Sequence, residues 1–167
     1  MILTLFKESL WQQFGAGINM LRNAITMWPD EKWEHPRKFF DMAYHTLFFL
    51  DYYLTNPPEG FNPPLPFTLL SEMPQDRIDD IMPDRVYTKQ EMLDYADACR
   101  KKCYAVIDGL TEENIQARWI EPDGSRNLLM IEMVMLNMRH VQHHAAQMNM
   151  MLRNEIGDAP GWISRAN

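Results

Sequence analysis

Several things are scarce in this chain, and each scarcity removes a class of protein. No apolar run reaches the roughly 18 residues that a membrane-crossing helix needs. The apolar start, Met1 to Phe6, has no basic stretch before it and is followed at once by Lys7 and Glu8. That makes a poor secretion signal, and a cytoplasmic location is expected. There are only 2 cysteines, Cys99 and Cys103, so no disulfide framework is available and a reducing compartment suits the chain. Basic residues are outnumbered, 16 against 23 acidic, for a net charge of −7. With no basic run to offset this locally, a nucleic-acid surface is not expected. Glycine-rich phosphate loops, nucleophile elbows and internal repeats are also lacking.

What is present is the material of one helical domain spanning 1–167. Hydrophobic content is 46% over 167 residues, enough for a full core. The 14 methionines fit adaptable core filling. From about Thr4 to Met27, Leu3, Phe6, Leu10, Phe14, Ile18, Leu21, Ile25 and Trp28 step by three or four residues, which predicts a first helix with one buried stripe. Trp11 lies off that stripe, facing a partner, a pocket or solvent. A second helix is predicted from near Pro36, a good first-turn residue, to about Leu54. It is apolar almost all round, so it is buried on two sides or lies at a subunit interface, and a homodimer is expected.

Residues Thr55 to Val86 hold 7 of the 11 prolines and cannot be continuous helix. Apolar anchors remain there (Phe61, Leu65, Phe67, Leu69, Leu70), so the segment reads as a packed crossover over one end or side of a bundle. Asp76 to Ile81 suits a short turn of helix. Thr88-Lys89-Gln90-Glu91 is a capping box that opens a third helix, and Gly109 marks its end. Cys99 and Cys103 fall on the apolar stripe of that helix and read as buried free thiols rather than a soft-metal or redox pair. Thr111 to Arg126 connects onward, with an extended piece near Trp119 and a Pro122-Asp123-Gly124 turn. Ser125 or Asn127 is the expected cap of a fourth helix running to about Glu155, closed by Gly157. The tail is expected to dock back through Trp162. Four long helices with one long proline-rich crossover between helices 2 and 3 predict an all-α four-helix bundle.

The fourth helix carries Arg139-His140-Val141-Gln142-His143-His144-Ala145-Ala146-Gln147, with three of the 5 histidines. His140 and His144 lie one turn apart on a face shared with Leu129, Met133, Leu136 and Met151, and can reach one metal ion. His143 is rotated roughly 60° to 100° from them and belongs at the edge. His45 is the one histidine of the apolar second helix and sits at matching depth. Three neutral imidazoles with one open position make a catalytic zinc-type site. The bland alternative is three hydrogen-bonded core histidines, and the pattern alone balances the two readings. Gln147, one turn beyond His144, suits a group that orients a ligand histidine or a bound water, or else a polar core residue. Asp41, one turn before His45, suits an acceptor for its imidazole N–H, or an interhelical carboxylate. Tyr52 is better read as a packed aromatic than as a hydroxyl lining a pocket.

Gly124, Asn127-Leu128-Leu129 and then His140-x-x-His143-His144-x-x-Gln147 on a long last helix resemble the DinB/YfiT-like superfamily of metal-binding four-helix bundles. The order of parts agrees over nearly the whole chain. The resemblance implies one divalent ion on His45, His140 and His144; a three-histidine site suits zinc or nickel, and helical spacing puts His143, Gln147 and Asp41 around the three. It also implies a transferase that holds a low-molecular-weight thiol such as bacillithiol or mycothiol as thiolate and presents it to an electrophile. Where family members often have Arg-Gly before the glutamine, this chain has Ala145-Ala146. The alternatives are a metal-dependent hydrolase, for which no convincing carboxylate base stands out, and a non-catalytic stress-associated bundle. The partners expected are a small-molecule substrate and a second copy of the chain, with no nucleic acid and no membrane. No catalytic residue is assigned.

Overall fold

The computed structural model of the protein describes residues 2–69 and 81–166. Four helices dominate it: α1 (Ile2–Met27), α2 (Lys38–Tyr53), α3 (Lys89–Asp108) and α4 (Met130–Ile156). Two small antiparallel ladders accompany them, β1 (Phe67–Leu69) with β2 (Ile81–Pro83) and β3 (Arg118–Ile120) with β4 (Asn127–Leu129). The fold is a four-helix bundle, as its periodicity predicts. No helix among the described residues is long and apolar enough to cross a membrane.

Side-chain contacts fix the direction of each helix. Lys7 at the start of α1 reaches the Asp108 carbonyl at the end of α3, and Arg22 pairs with Asp97 at 2.7 Å, so α1 and α3 run antiparallel. Asn56 beyond the end of α2 meets Met130 at the start of α4, and Asn137 reaches Leu50, so α2 and α4 are antiparallel too. Cys99 of α3 contacts Leu47 of α2, and Lys102 contacts Asp51 of α2 and Thr55 just beyond it, in parallel order. The helices therefore run up, down, down, up, and consecutive helices α1 and α2 lie across a diagonal.

The core is aromatic and aliphatic. Phe14, Ile18, Leu21 and Ile25 of the α1 stripe are fully buried, as are Phe39, Phe40, Tyr44 and Leu47 of α2. Met92, Tyr95, Cys99 and Cys103 bury the stripe of α3. The capping box is formed in both directions: the Glu91 N–H donates to Thr88 Oγ1, and the Thr88 N–H donates to the Glu91 carboxylate. Gly157 ends α4 at φ 75°, in the left-handed region that glycine enters freely. Trp11 is half-buried, with its ring edge on Tyr104 and beside the Arg100 guanidinium.

Several sequence expectations are corrected. Helix α4 begins at Met130, after β4, and neither Ser125 nor Asn127 caps it. Asn127 pairs with Ile120 in the ladder, and its side chain accepts from Arg118 instead. A strand leading straight into a helix leaves no turn at which an Asn side chain can fold back. Leu129 consequently falls in β4 and is exposed, not on the inward face of α4. Trp162 does not dock; it is 71% exposed. The tail is held by Ala166, whose N–H donates to the Gln12 carbonyl and whose methyl packs on Gly15, where any Cβ would lie 2.7 Å away. Helix α2 begins at Lys38, behind a cis His35–Pro36 bond. The crossover contains the β1–β2 ladder, which its prolines conceal. The helical turn expected over Asp76 to Ile81 lies, apart from Ile81 in β2, outside the described residues.

Candidate metal centre

The register of α2 against α4 is set one turn from the histidines. The Leu54 N–H turns back to the Asp51 carbonyl, and the Leu50 carbonyl accepts from Asn137 Nδ2 at 3.0 Å. Asn137 is fully buried, so this bond forms away from competing water. With that register, the middle of α2 faces the middle of α4.

His45, His140 and His144 meet there. One ligand-capable nitrogen from each lies within 4.8 Å of the others. Nε2 of His45 is 3.1 Å from Nε2 of His140, and the His140 and His144 ring centroids are 4.5 Å apart. Two imidazole nitrogens on one tetrahedral zinc sit about 3.3 Å apart, given Zn–N distances near 2.0–2.1 Å. The His45–His140 spacing therefore suits two ligands of one ion. His144 is fixed from behind: its Nδ1 is 2.7 Å from Gln147 Oε1, an acceptor, so Nδ1 carries the proton and Nε2 keeps its lone pair. Nδ1 of His140 is buried without a hydrogen-bond partner, which leaves Nε2 as the nitrogen aimed into the cluster.

Burial and neighbouring groups keep His140 in the form that could bind a metal. Burial pushes its pKa down to about 3, and the neighbouring His144, His45 and His143 and the Arg126 charge push the same way. At neutral pH its ring is uncharged, the form that binds a metal. These three histidines are all half-buried. An open depression of about 680 Å³ on the α4 side, lined by Leu136, Arg139, His140 and His143 among others, brings solvent to the site.

The other singled-out residues take separate places. His143 is exposed at the rim, its ring 5.1 Å from that of His144. Gln147 is exposed rather than inward, yet it makes the bond to His144 described above. The Asp41 carboxylate accepts from Arg37 at 3.1 Å, an i, i+4 pair within the first turn of α2. Tyr52 donates its hydroxyl to Glu121, and it also lines a cavity. Cys99 and Cys103 are buried in α3 with thiol pKa values raised by burial, and they stand apart from the histidine cluster.

Sequence reasoning missed four neighbours. Phe49, one turn after His45, packs its ring 4.7 Å from His45 and 5.8 Å from His140. Tyr53 faces His140 at 6.1 Å. Arg126 reaches over Tyr53 and donates to Tyr53 Oη at 3.2 Å and Glu121 at 3.3 Å. Asn137 was the legible one, a polar residue in an apolar stripe one turn before His140. Arg126 and Glu121 arrive through the β3–β4 hairpin, and nothing in their spacing points at α2.

A family model described as the DinB superfamily matches residues 13–148, a span that contains all three clustered histidines. No curated protein matches the chain.

Proposed function

The chain belongs to the DinB superfamily, and on that premise we propose that it is a metal-dependent transferase that activates a low-molecular-weight thiol of the bacillithiol or mycothiol kind. The observation that carries the reading is the convergence of the His45, His140 and His144 ring nitrogens within 4.8 Å. A divalent ion held there, zinc or nickel, would supply a Lewis-acid position that lowers the pKa of a thiol and holds it as thiolate. The chain's own residues do the rest. Burial keeps His140 neutral, Gln147 fixes the tautomer of His144, and the Asn137 bond holds α4 in register. Arg126, held by Tyr53 and Glu121, adds to the effects that keep His140 uncharged. The open depression beside His140 leaves room for a ligand from solution.

The test is elemental analysis of untagged protein beside a His140→Ala, His144→Ala variant. About one equivalent of zinc or nickel in the wild type, absent from the variant, is expected for a three-histidine site. Protein that carries no metal and takes up none when offered zinc or nickel would sink the reading. Loaded protein is then screened with thiols and a generic electrophile. Turnover that needs both metal and thiol is the expected result. Ester hydrolysis without thiol would point to a hydrolase instead, and metal binding without turnover to a non-catalytic bundle.

A further inference from the structure

Next to the histidine cluster lies a cavity of about 680 Å³ where α2, the crossover and the β3–β4 turn meet. That volume falls in the range of small-molecule sites, about 300–1,000 Å³. We propose that this chamber binds a small cationic molecule built on an apolar ring, an arylalkylammonium being the simplest case.

Its walls argue for the ring. Phe48 of α2 meets Phe61 at 5.3 Å and Phe67 at 4.8 Å, both from the crossover, and Tyr52 meets Phe61 at 5.2 Å. Aromatic faces carry negative potential, so such a lining favours apolar rings and cations together.

Its charges argue for the cation. Glu59, Glu121 and Asp123 line the cavity, and no lysine, arginine or histidine does so among the described residues. The Asp123 carboxylate accepts the Ser125 N–H at 2.9 Å and is held below its ordinary pKa by Ser125, so it is ionised. Two cations stand just outside, and both are engaged. Lys102, 5.8 Å from the Phe61 ring centre, is held by Asp51 at 2.5 Å and Thr55 at 2.6 Å. Arg126 is held by Glu121 and Tyr53. Glu121 is matched by Arg126, so the acidic excess at the chamber is Glu59 and Asp123. A carboxylate or phosphate entering would meet these two, whereas an ammonium would meet aromatic faces and counter-charge.

Phe49 joins this chamber to the cluster. Its ring lines the cavity and packs on His45 and His140. A molecule bound in the chamber is therefore separated from the histidines by one side chain. Its binding does not depend on the proposed thiol-transfer reading.

Three probes of one shape test this on the full chain by calorimetry: 2-naphthylmethylammonium, 2-naphthylmethanol and 2-naphthoate. The ammonium is expected to bind saturably and about tenfold or more tighter than the naphthoate. Phe61→Ala should weaken it about tenfold. The exposed pair Glu59→Gln with Asp123→Asn should erase the advantage of the ammonium over the alcohol without altering the fold. No saturable ammonium binding, naphthoate binding as tightly, or ammonium binding indifferent to both variants would overturn the inference. Metal content is measured on the same samples. Ammonium binding retained by protein that takes up no metal would sink the metal reading and leave this one standing. Metal-replete protein that ignores the ammonium would do the reverse.

Discussion

Acidifying the metal-free protein from pH 7 to pH 5 is expected to cost stability at one identifiable place, the His140 ring. Its pKa in the folded protein is pushed down to about 3 by burial first, then by the neighbouring histidines and Arg126. In the unfolded chain a histidine titrates near pH 6.5. Between those two values the unfolded state holds a proton that the folded state lacks, so stability falls as pH falls. The contribution is intact above about pH 6.5 and is lost progressively toward pH 3. At pH 5 the full shift corresponds to about 2 kcal/mol. The ring is only half-buried, and solvent screening reduces the expected loss to about 1 kcal/mol. Urea unfolding in the presence of a chelator, at pH 7, 6 and 5, measures this for the wild type and for His140→Leu. Other acid-sensitive groups are common to both proteins, so the difference between them isolates the ring. With a urea slope of about 2 kcal/mol per molar, the wild-type midpoint should drop by about 0.5 M more than that of the variant. Equal drops in the two proteins would refute the reasoning. Saturating zinc at pH 7 should raise the wild-type midpoint and have less effect at pH 5, because protons compete for the same nitrogens.

Other expectations follow from single contacts. Asn137→Ala leaves the buried Leu50 carbonyl without its donor and should destabilise the protein by about 1–3 kcal/mol in chemical denaturation. Gln147→Leu, at an exposed position, should leave the melting temperature nearly unchanged while weakening metal binding about tenfold or more in a chelator competition, because His144 loses the acceptor that fixes its tautomer. Cys99 and Cys103, buried with raised thiol pKa values, should be inert to a thiol reagent in native protein and titrate fully in denaturant; fast native labelling would contradict the core reading.

The helices were legible because they repeat: a stripe stepping by three or four residues predicts α1 and α3 to within a few residues, and the Thr88–Glu91 box marks a start by side-chain chemistry alone. The three histidines were legible for the same reason, since helical spacing places His140 beside His144, and His45 stands out against an apolar helix. What the sequence concealed is held by long-range contacts. Arg126 and Glu121 reach the site only because β3 pairs with β4 and swings that turn over Tyr52 and Tyr53. The start of α4 was misread because Ser125 and Asn127 look like caps until the ladder claims Asn127. Trp162 was misread because size suggests docking, whereas the close approach at Gly15 admits only the small Ala166.

The proline-rich crossover gains its place from the helix directions. Helices α2 and α3 are parallel, so the chain leaving Tyr53 must travel back along the whole of α2, about 24 Å for its 16 residues at 1.5 Å each, before α3 can begin. Among the described residues that return is made by turns and the β1–β2 ladder rather than by helix. Passing along α2, it lays Phe61 and Phe67 against Phe48 and buries Leu65, and Tyr44 donates its hydroxyl to the Leu65 carbonyl. The apolar circumference of α2 is thus covered from within the chain, so that circumference by itself does not call for a second subunit. A homodimer would have to draw on other surfaces, such as Met135 and Met150, exposed on α4. The same return path walls the aromatic chamber beside the histidines, so the crossover both connects the helices and shapes the ground on which a substrate would meet the site.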